Sequence, residues 1–190
     1  MKLMILNNVN VKLIKIYIQN FIYINNYKLV LDHKKISKLR RSRGYNWEDK
    51  LVKRFNALPN WRSFRLGSPS IALPDLIAIN NTEKTIYVIE AKSGTGTTLN
   101  VPIDQIYRCF NWLHHFELYN TKYVILAFKF LAKKRLTVGQ YKTRKLKEYY
   151  KICTEDNIIN CTCTYGGELY STNNNSKSKI HFQEFKMPFK

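Results

Sequence analysis

The stretch LPDLIAINNTEKTIYVIEAKSG, residues 73–94, decides how this chain is read. Two short apolar runs, Leu76 to Ile79 and Thr85 to Ala91, flank an Asn/Thr/Glu/Lys turn, the pattern of a hairpin. A turn centred between Thr82 and Glu83 pairs Asn80 with Thr85 and Ile79 with Ile86, and the same register sets Asp75 opposite Glu90. Directly opposed side chains have Cβ atoms about 4.5–5.5 Å apart. Carboxylates that close repel and raise each other's pKa unless a cation lies between them. Strand alternation puts Lys92 on the face of Glu90 and turns Ala91 to the other. Two carboxylates, a backbone carbonyl and water suit Mg²⁺, which takes hard oxygen ligands and keeps part of its hydration. An ammonium beside such an ion can orient water or steady charge on a phosphate, the equipment for phosphodiester hydrolysis. The bland alternative is a turn aspartate after Pro74 and a solvated Glu/Lys strand end.

The composition favours the first reading. The chain has 190 residues, enough for one domain with a real core, and 45% of them are hydrophobic. Its 32 Lys and Arg against 13 Asp and Glu give a formal charge of +19, which points to a polyanionic partner. The excess is concentrated: 11 basic residues against two acids from Lys34 to Ala72, and 10 against one from Lys122 to Lys151. These segments flank the acidic cluster as a nucleic-acid footprint would. Cys109, Cys153, Cys161 and Cys163 lack disulfide spacing and read as reduced thiols of a cytoplasmic protein. Cys161 and Cys163 share a strand face rather than a zinc site, since no second ligand pair is suitably spaced.

Residues 1–33 mix Ile, Tyr, Asn and Lys, and interrupting polar residues exclude a membrane span or a signal peptide. The segment is either translated upstream sequence or an added element, and is set apart from a domain over 34–190. Asn46 is expected to cap a helix with Trp47, Leu51, Val52, Phe55 and Leu58 on its apolar side and Pro59 as its stop. Strands follow over Ser63–Leu66, Leu76–Ile79 and Thr85–Ala91, with a GSPS loop between the first two. A flexible SGTGT stretch leads to a second helix from Pro102 to about Tyr119, burying Ile103, Ile106, Phe110 and Leu113. KYVILAFKF reads as a strand covered on both faces, KTRKLKEYYKI as helix-like, and Tyr165-Gly166-Gly167 as a hairpin turn. The order α-β-β-β-α-β defines an α/β class with a mixed sheet flanked by helices.

Leu-Pro-Asp followed by Glu-Ala-Lys resembles the PD-(D/E)xK nuclease superfamily, with its restriction-endonuclease-like fold. RGYNWEDKLVKRF ahead of FRLGSPSIALPDLIAIN is similar, more narrowly, to the archaeal Holliday junction resolvases, over residues 38 to 130. The resemblance implies Glu48, Asp75 and Glu90 as metal-site acids, joined by the Ala91 carbonyl, and Lys92 as catalytic lysine. It places Arg41, Arg43, Arg65, Ser68, Ser70 and Gln105 against DNA; for Arg65 the alternative is a solvated edge-strand charge, for the serines a turn, and for Gln105 a polar helix face. Asp49 departs from the family pattern, which has a basic residue there. The implied activity is Mg²⁺-dependent cleavage of four-way junctions, with Mn²⁺ as substitute ion, by a homodimer whose two-fold axis matches two symmetric nicks. The partner is branched double-stranded DNA in the cytoplasm, with the protein nucleoid-associated and away from membranes. The rivals are another PD-(D/E)xK nuclease, of restriction or repair type, and a non-catalytic DNA-architectural module.

Overall fold

The computed structural model describes residues 34, 37–39, 41–66, 73–137, 139–173 and 176–189. The chain divides into two units, Met1–Ser42 and Arg43–Lys190. Of the first, residues 34, 37–39, 41 and 42 are helical. Residues 1–33, read as either translated upstream sequence or an added element, and the GSPS loop with Ser68 and Ser70 lie outside the described residues.

The second unit begins in a helix, α1, that continues to residue 56. Trp47, Leu51 and Phe55, spaced by three to four residues, are buried along it, with Val52 and Leu58 partly so. Each such side chain contributes roughly 1.5–3 kcal/mol when removed from water. The Trp47 indole N–H donates to the Ala127 carbonyl at 3.2 Å, so the ring's polar edge is satisfied inside the core. Asn46 is not the cap: it sits exposed within the helix, which already includes residue 43. Gly44 interrupts the pattern but costs a helix only about 1 kcal/mol and does not end it.

Strands β1 (Trp61–Arg65), β2 (Leu76–Asn80) and β3 (Thr85–Gly94) form an antiparallel meander. The expected register holds, with Asn80 paired to Thr85, Ile79 to Ile86 and Leu76 to Ile89. The Asn80 side chain accepts the Glu83 amide at 3.1 Å, and Lys84 takes φ 51° to close the turn. The segment after β3 reads as merely flexible from its glycines, yet it forms β4 (Thr98–Val101) before helix α2 (Ile103–His114). This helix is shorter than its sequence suggests, and its first residue, Ile103, is exposed; Ile106, Cys109, Phe110 and Leu113 carry the buried stripe. The crossover returns the chain to β5 (Thr121–Phe130), parallel to β3 and covered on both faces as its composition requires.

A small hairpin, β6 (Lys133–Thr137) and β7 (Gln140–Thr143), precedes β8 (Lys147–Cys153). The basic stretch with a helix-like sequence is therefore extended: β8 pairs antiparallel with β5, and tertiary pairing overrides helix propensity. Strands β9 (Cys161–Thr164), β10 (Leu169–Asn173) and β11 (Ser176–Ile180) follow, the first two forming the expected hairpin at Gly166-Gly167. The main sheet has the order β1-β2-β3-β5-β8, and a second sheet the order β11-β10-β9-β4.

Alternation along β3 divides the core. Tyr87, Ile89 and Ala91 meet α1 and Met187, whereas Ile86 and Val88 meet α2 and the inner side of the second sheet. Cys161 and Cys163 are buried in that second cluster, and burial pushes both thiols up to about 12, so they act as small apolar side chains.

Candidate active site

Three elements meet at the C-terminal end of β3: α1 brings Glu48, the bend just before β2 brings Asp75, and β3 itself brings Glu90 and Lys92. Asp75 immediately precedes the Leu76–Ile89 pair that ends the hairpin ladder, so it lies level with Glu90. Its carboxylate accepts the Ala91 amide at 2.7 Å, and its own carbonyl accepts the Leu66 amide at 3.0 Å. Asp75 is thus fixed on both sides by backbone.

Glu90 is fully buried. Lys92, two residues on and on the same face, donates to one carboxylate oxygen at 2.5 Å; Arg108 of α2 donates to the other at 3.1 Å. Burial pushes the Glu90 carboxyl up, and Lys92 and Arg108 work against that. Burial opposes the Lys92 charge too, but Glu90 and Asp75 outweigh it and hold the ammonium above its usual range. A charge this far from water persists only when paired and hydrogen-bonded.

Glu48 faces the sheet, as its place beside the α1 stripe predicts, and is 8% exposed. Its carboxyl is pushed up to about 7, first by burial and then by Asp75, with Arg65 and Lys92 pulling it down and Glu90 adding to the rise. That pattern is the electrostatic signature of acids sharing one space. Arg65 lies 4.0 Å from Glu48 and 3.4 Å from Asp49, with its guanidinium 4.6 Å from the Tyr45 ring centroid. Asp49, the departure from the family pattern, is therefore a partner for Arg65.

The other sequence candidates separate. The Arg43 carbonyl accepts the Ser93 hydroxyl at 3.1 Å, which ties the start of the unit's helix to the strand bearing Lys92. Arg41 is exposed and belongs to the first unit. Gln105 lies one turn before Arg108 on α2, and its side-chain oxygen is buried without a hydrogen-bond partner among the described residues. Such an orphan costs about 1–3 kcal/mol until something donates to it. Arg108 is the residue that sequence reasoning missed. Its only signal is the three-residue spacing from Gln105, which puts both on one side of a helix.

Among the described residues, no group of three acidic, His or Cys side chains is already gathered as a metal cage. The donor set nevertheless fits a hard divalent cation. Asp75 and Glu90 raise the proton affinity of Glu48, and a bound cation reverses the sign of that repulsion.

A mixed sheet flanked by helices, with two acids and a lysine at the C-terminal end of its central strand, is the arrangement that the sequence resemblance implies for a nuclease of the restriction-endonuclease-like class. A family profile described as archaeal Holliday junction resolvase (Hjc) matches residues 39–161. The chain belongs to that family, and its activity is the resolution of four-way DNA junctions. The solved structure of Hjc from Archaeoglobus fulgidus, a Holliday junction resolvase from an archaeal hyperthermophile, is 17% identical. It superposes with a TM-score of 0.41, covering 65% of this chain and 89% of that one. No curated protein matches the chain. Among the described residues, no helix is long and apolar enough to cross a membrane.

Proposed function

We propose that this resolvase hydrolyses phosphodiester bonds at the Glu48–Asp75–Glu90–Lys92 cluster with Mg²⁺, or Mn²⁺ in its place. The observation that supports this reading is the raised carboxyl of Glu48, beside Asp75 and Glu90 and within reach of the half-buried Lys92 charge. Glu48, Asp75, Glu90 and the Ala91 carbonyl would hold the ion. Such an ion lowers the pKa of water and neutralises charge building on a phosphate.

The chain's own residues do the rest. The Ala91 amide fixes the Asp75 carboxylate, and Arg108 fixes Glu90 from the opposite side. Lys92 remains protonated because Glu90 and Asp75 stabilise its charge, so its ammonium can donate to a phosphate oxygen or orient the attacking water. Gln105 offers a buried acceptor to a water or a DNA donor. Arg65 reaches phosphate by exchanging Asp49 for a bidentate contact, which its planar fork suits. Arg41, Arg43, Ser68 and Ser70 complete the proposed DNA contacts. Two nicks placed symmetrically call for two such sites, hence a two-fold homodimer acting on DNA in the cytoplasm, at the nucleoid.

The test is cleavage, with Mg²⁺ or with EDTA, of a synthetic four-way junction, linear duplex, splayed arms and single strand. Metal-dependent cutting of the junction alone is expected. Undiminished cutting in EDTA would remove the metal from the mechanism, and equal cutting of all four would remove branch selectivity.

A further inference from the structure

The β6–β7 hairpin is a structural oddity that the catalytic site does not use. From residue 131 to 147 the chain carries Lys133, Lys134, Arg135, Lys142, Arg144, Lys145 and Lys147, and no acid. The hairpin is a separate two-stranded sheet that contributes nothing to either core cluster. An isolated hairpin is at best marginally stable in water. This one also sets Lys134 directly opposite Lys142, a like-charge pair that works against folding. Elsewhere in the unit Arg54, Arg65, Lys92, Arg108 and Lys151 each have a carboxylate within ion-pair distance. Among the described residues, no carboxylate reaches Lys133, Lys134, Arg135, Lys142 or Lys145.

The hairpin is nevertheless held in place, and by the strand that carries the catalytic lysine. The Leu131 amide donates to the Gly94 carbonyl at 2.9 Å and the Arg135 amide to the Thr95 carbonyl at 3.0 Å. Gly94 and Thr95 stand two and three residues beyond Lys92. Arg144 closes the base: its side chain donates to the Leu131 carbonyl at 2.9 Å and lies 4.5 Å from the Tyr165 ring centroid. A basic ribbon, its lysines without carboxylate partners, thus projects from the site end of β3.

We propose that this ribbon is a second DNA-binding element, lying in the major groove of the duplex arm beside the cleaved strand. That groove is about 12 Å wide and admits a two-stranded ribbon. Phosphates on its two walls would neutralise the opposed lysines, and the exposed Tyr141 and Leu136 present apolar surface to base edges and sugars. The role is to hold one arm in register with the site through the phosphate backbone, which reads shape without sequence. The proposal rests on the junction-binding reading above.

The test measures junction affinity in EDTA as a function of KCl, for the full chain and for a Lys133→Ala/Lys134→Ala/Lys142→Ala variant. Each phosphate that is no longer neutralised lowers the log–log salt slope by about 0.9. A slope shallower by about 2–3 and an affinity about tenfold weaker near 0.15 M salt are therefore expected. In the unmutated protein, the same lysines should be shielded from an amine-acylating reagent, read by mass spectrometry, when the junction is bound. Coincident slopes overturn the proposal, and so does unchanged lysine reactivity, which would leave only a long-range field. The two readings fail separately. Binding without any cutting removes the catalytic assignment but not the ribbon; normal cutting with coincident slopes removes the ribbon but not the catalytic assignment.

Discussion

Replacing Glu48 with glutamine should stabilise the metal-free protein above neutral pH, although it removes a proposed ligand. Burial, and then Asp75, push the folded-state carboxyl up to about 7 from an ordinary value of 4.5, a difference of about 2.5. At roughly 1.36 kcal/mol per unit, ionising Glu48 in the folded state costs about 3 kcal/mol. The sign follows from proton binding. Between pH 4.5 and 7 the folded chain keeps a proton that the unfolded chain has released, so this contribution to stability falls as pH rises. Below 4.5 both states are protonated and the cost vanishes; above 7 it is fully present. Glutamine keeps the size and lacks the titration. Urea unfolding in EDTA should therefore give a Glu48→Gln protein about equal to the parent near pH 4.5. At about pH 8 it should be more stable by about 2–3 kcal/mol. Added Mg²⁺ should then raise the melting temperature of the parent and leave that of the variant nearly unmoved. A variant no more stable than the parent in mild alkali, with the same pH profile, would show that the three acids do not share one space.

Asp75→Asn should cut at least about a hundredfold more slowly because a proposed metal ligand is lost. Its junction affinity in EDTA should hold or rise, since one charge opposing the phosphates is gone; a near-native cleavage rate would return the opposed acids to ordinary strand-end charges. Arg108→Ala should cost about 2 kcal/mol in urea unfolding, the worth of a charged hydrogen bond to a buried carboxylate. The loss should shrink in a Glu90→Gln background, and equal losses in both backgrounds would uncouple the pair. A chain beginning at His33 should melt within a few degrees of the full chain, because the removed segment holds none of the proposed site residues and, among the described residues, both core clusters start at Trp47 or later. A large drop would give the leading segment a structural role.

Much of the site is legible in the sequence because its pieces obey short-range rules. A tight turn and the period of two are enough to bring Asp75 level with Glu90 and put Lys92 beside it. The three-to-four spacing of Trp47, Leu51 and Phe55 likewise orients Glu48, since a helix that buries one stripe limits where its neighbours can point. The elements that escape such reading are decided at long range. KTRKLKEYYKI is rich in good helix formers, but Leu126, Phe128 and Phe130 leave a sheet edge that β8 satisfies, with Lys147 against Phe130 and Tyr149 against Phe128. β4 is equally invisible locally: four residues after a Gly-containing loop become a strand because Val101 and Leu99 pair with Cys161 and Cys163, far along the chain. Arg108 escapes too, because a lone arginine on a helix ordinarily reads as solvated. Only the fold reveals a buried glutamate opposite it.

The ribbon and the acid cluster embody one physical arrangement with opposite signs. Opposed Lys134 and Lys142 repel on the outside, and Glu48, Asp75 and Glu90 repel at the end of β3. Each set alone destabilises the free protein, and each is relieved by a ligand of the other sign. A duplex arm would quiet the lysines, and a divalent cation the carboxylates. Lys92, held by Glu90 two residues before the strand positions that anchor the ribbon, connects the two sets through β3 itself. Binding of DNA and metal should therefore each raise stability, by mass action on the folded state. Their joint effect should exceed the sum, because phosphate adds ligand oxygens for the ion while the ion cancels the carboxylate charge that opposes phosphate. The free protein is then the least stable form in the cycle, which is the cost of holding like charges ready for two partners.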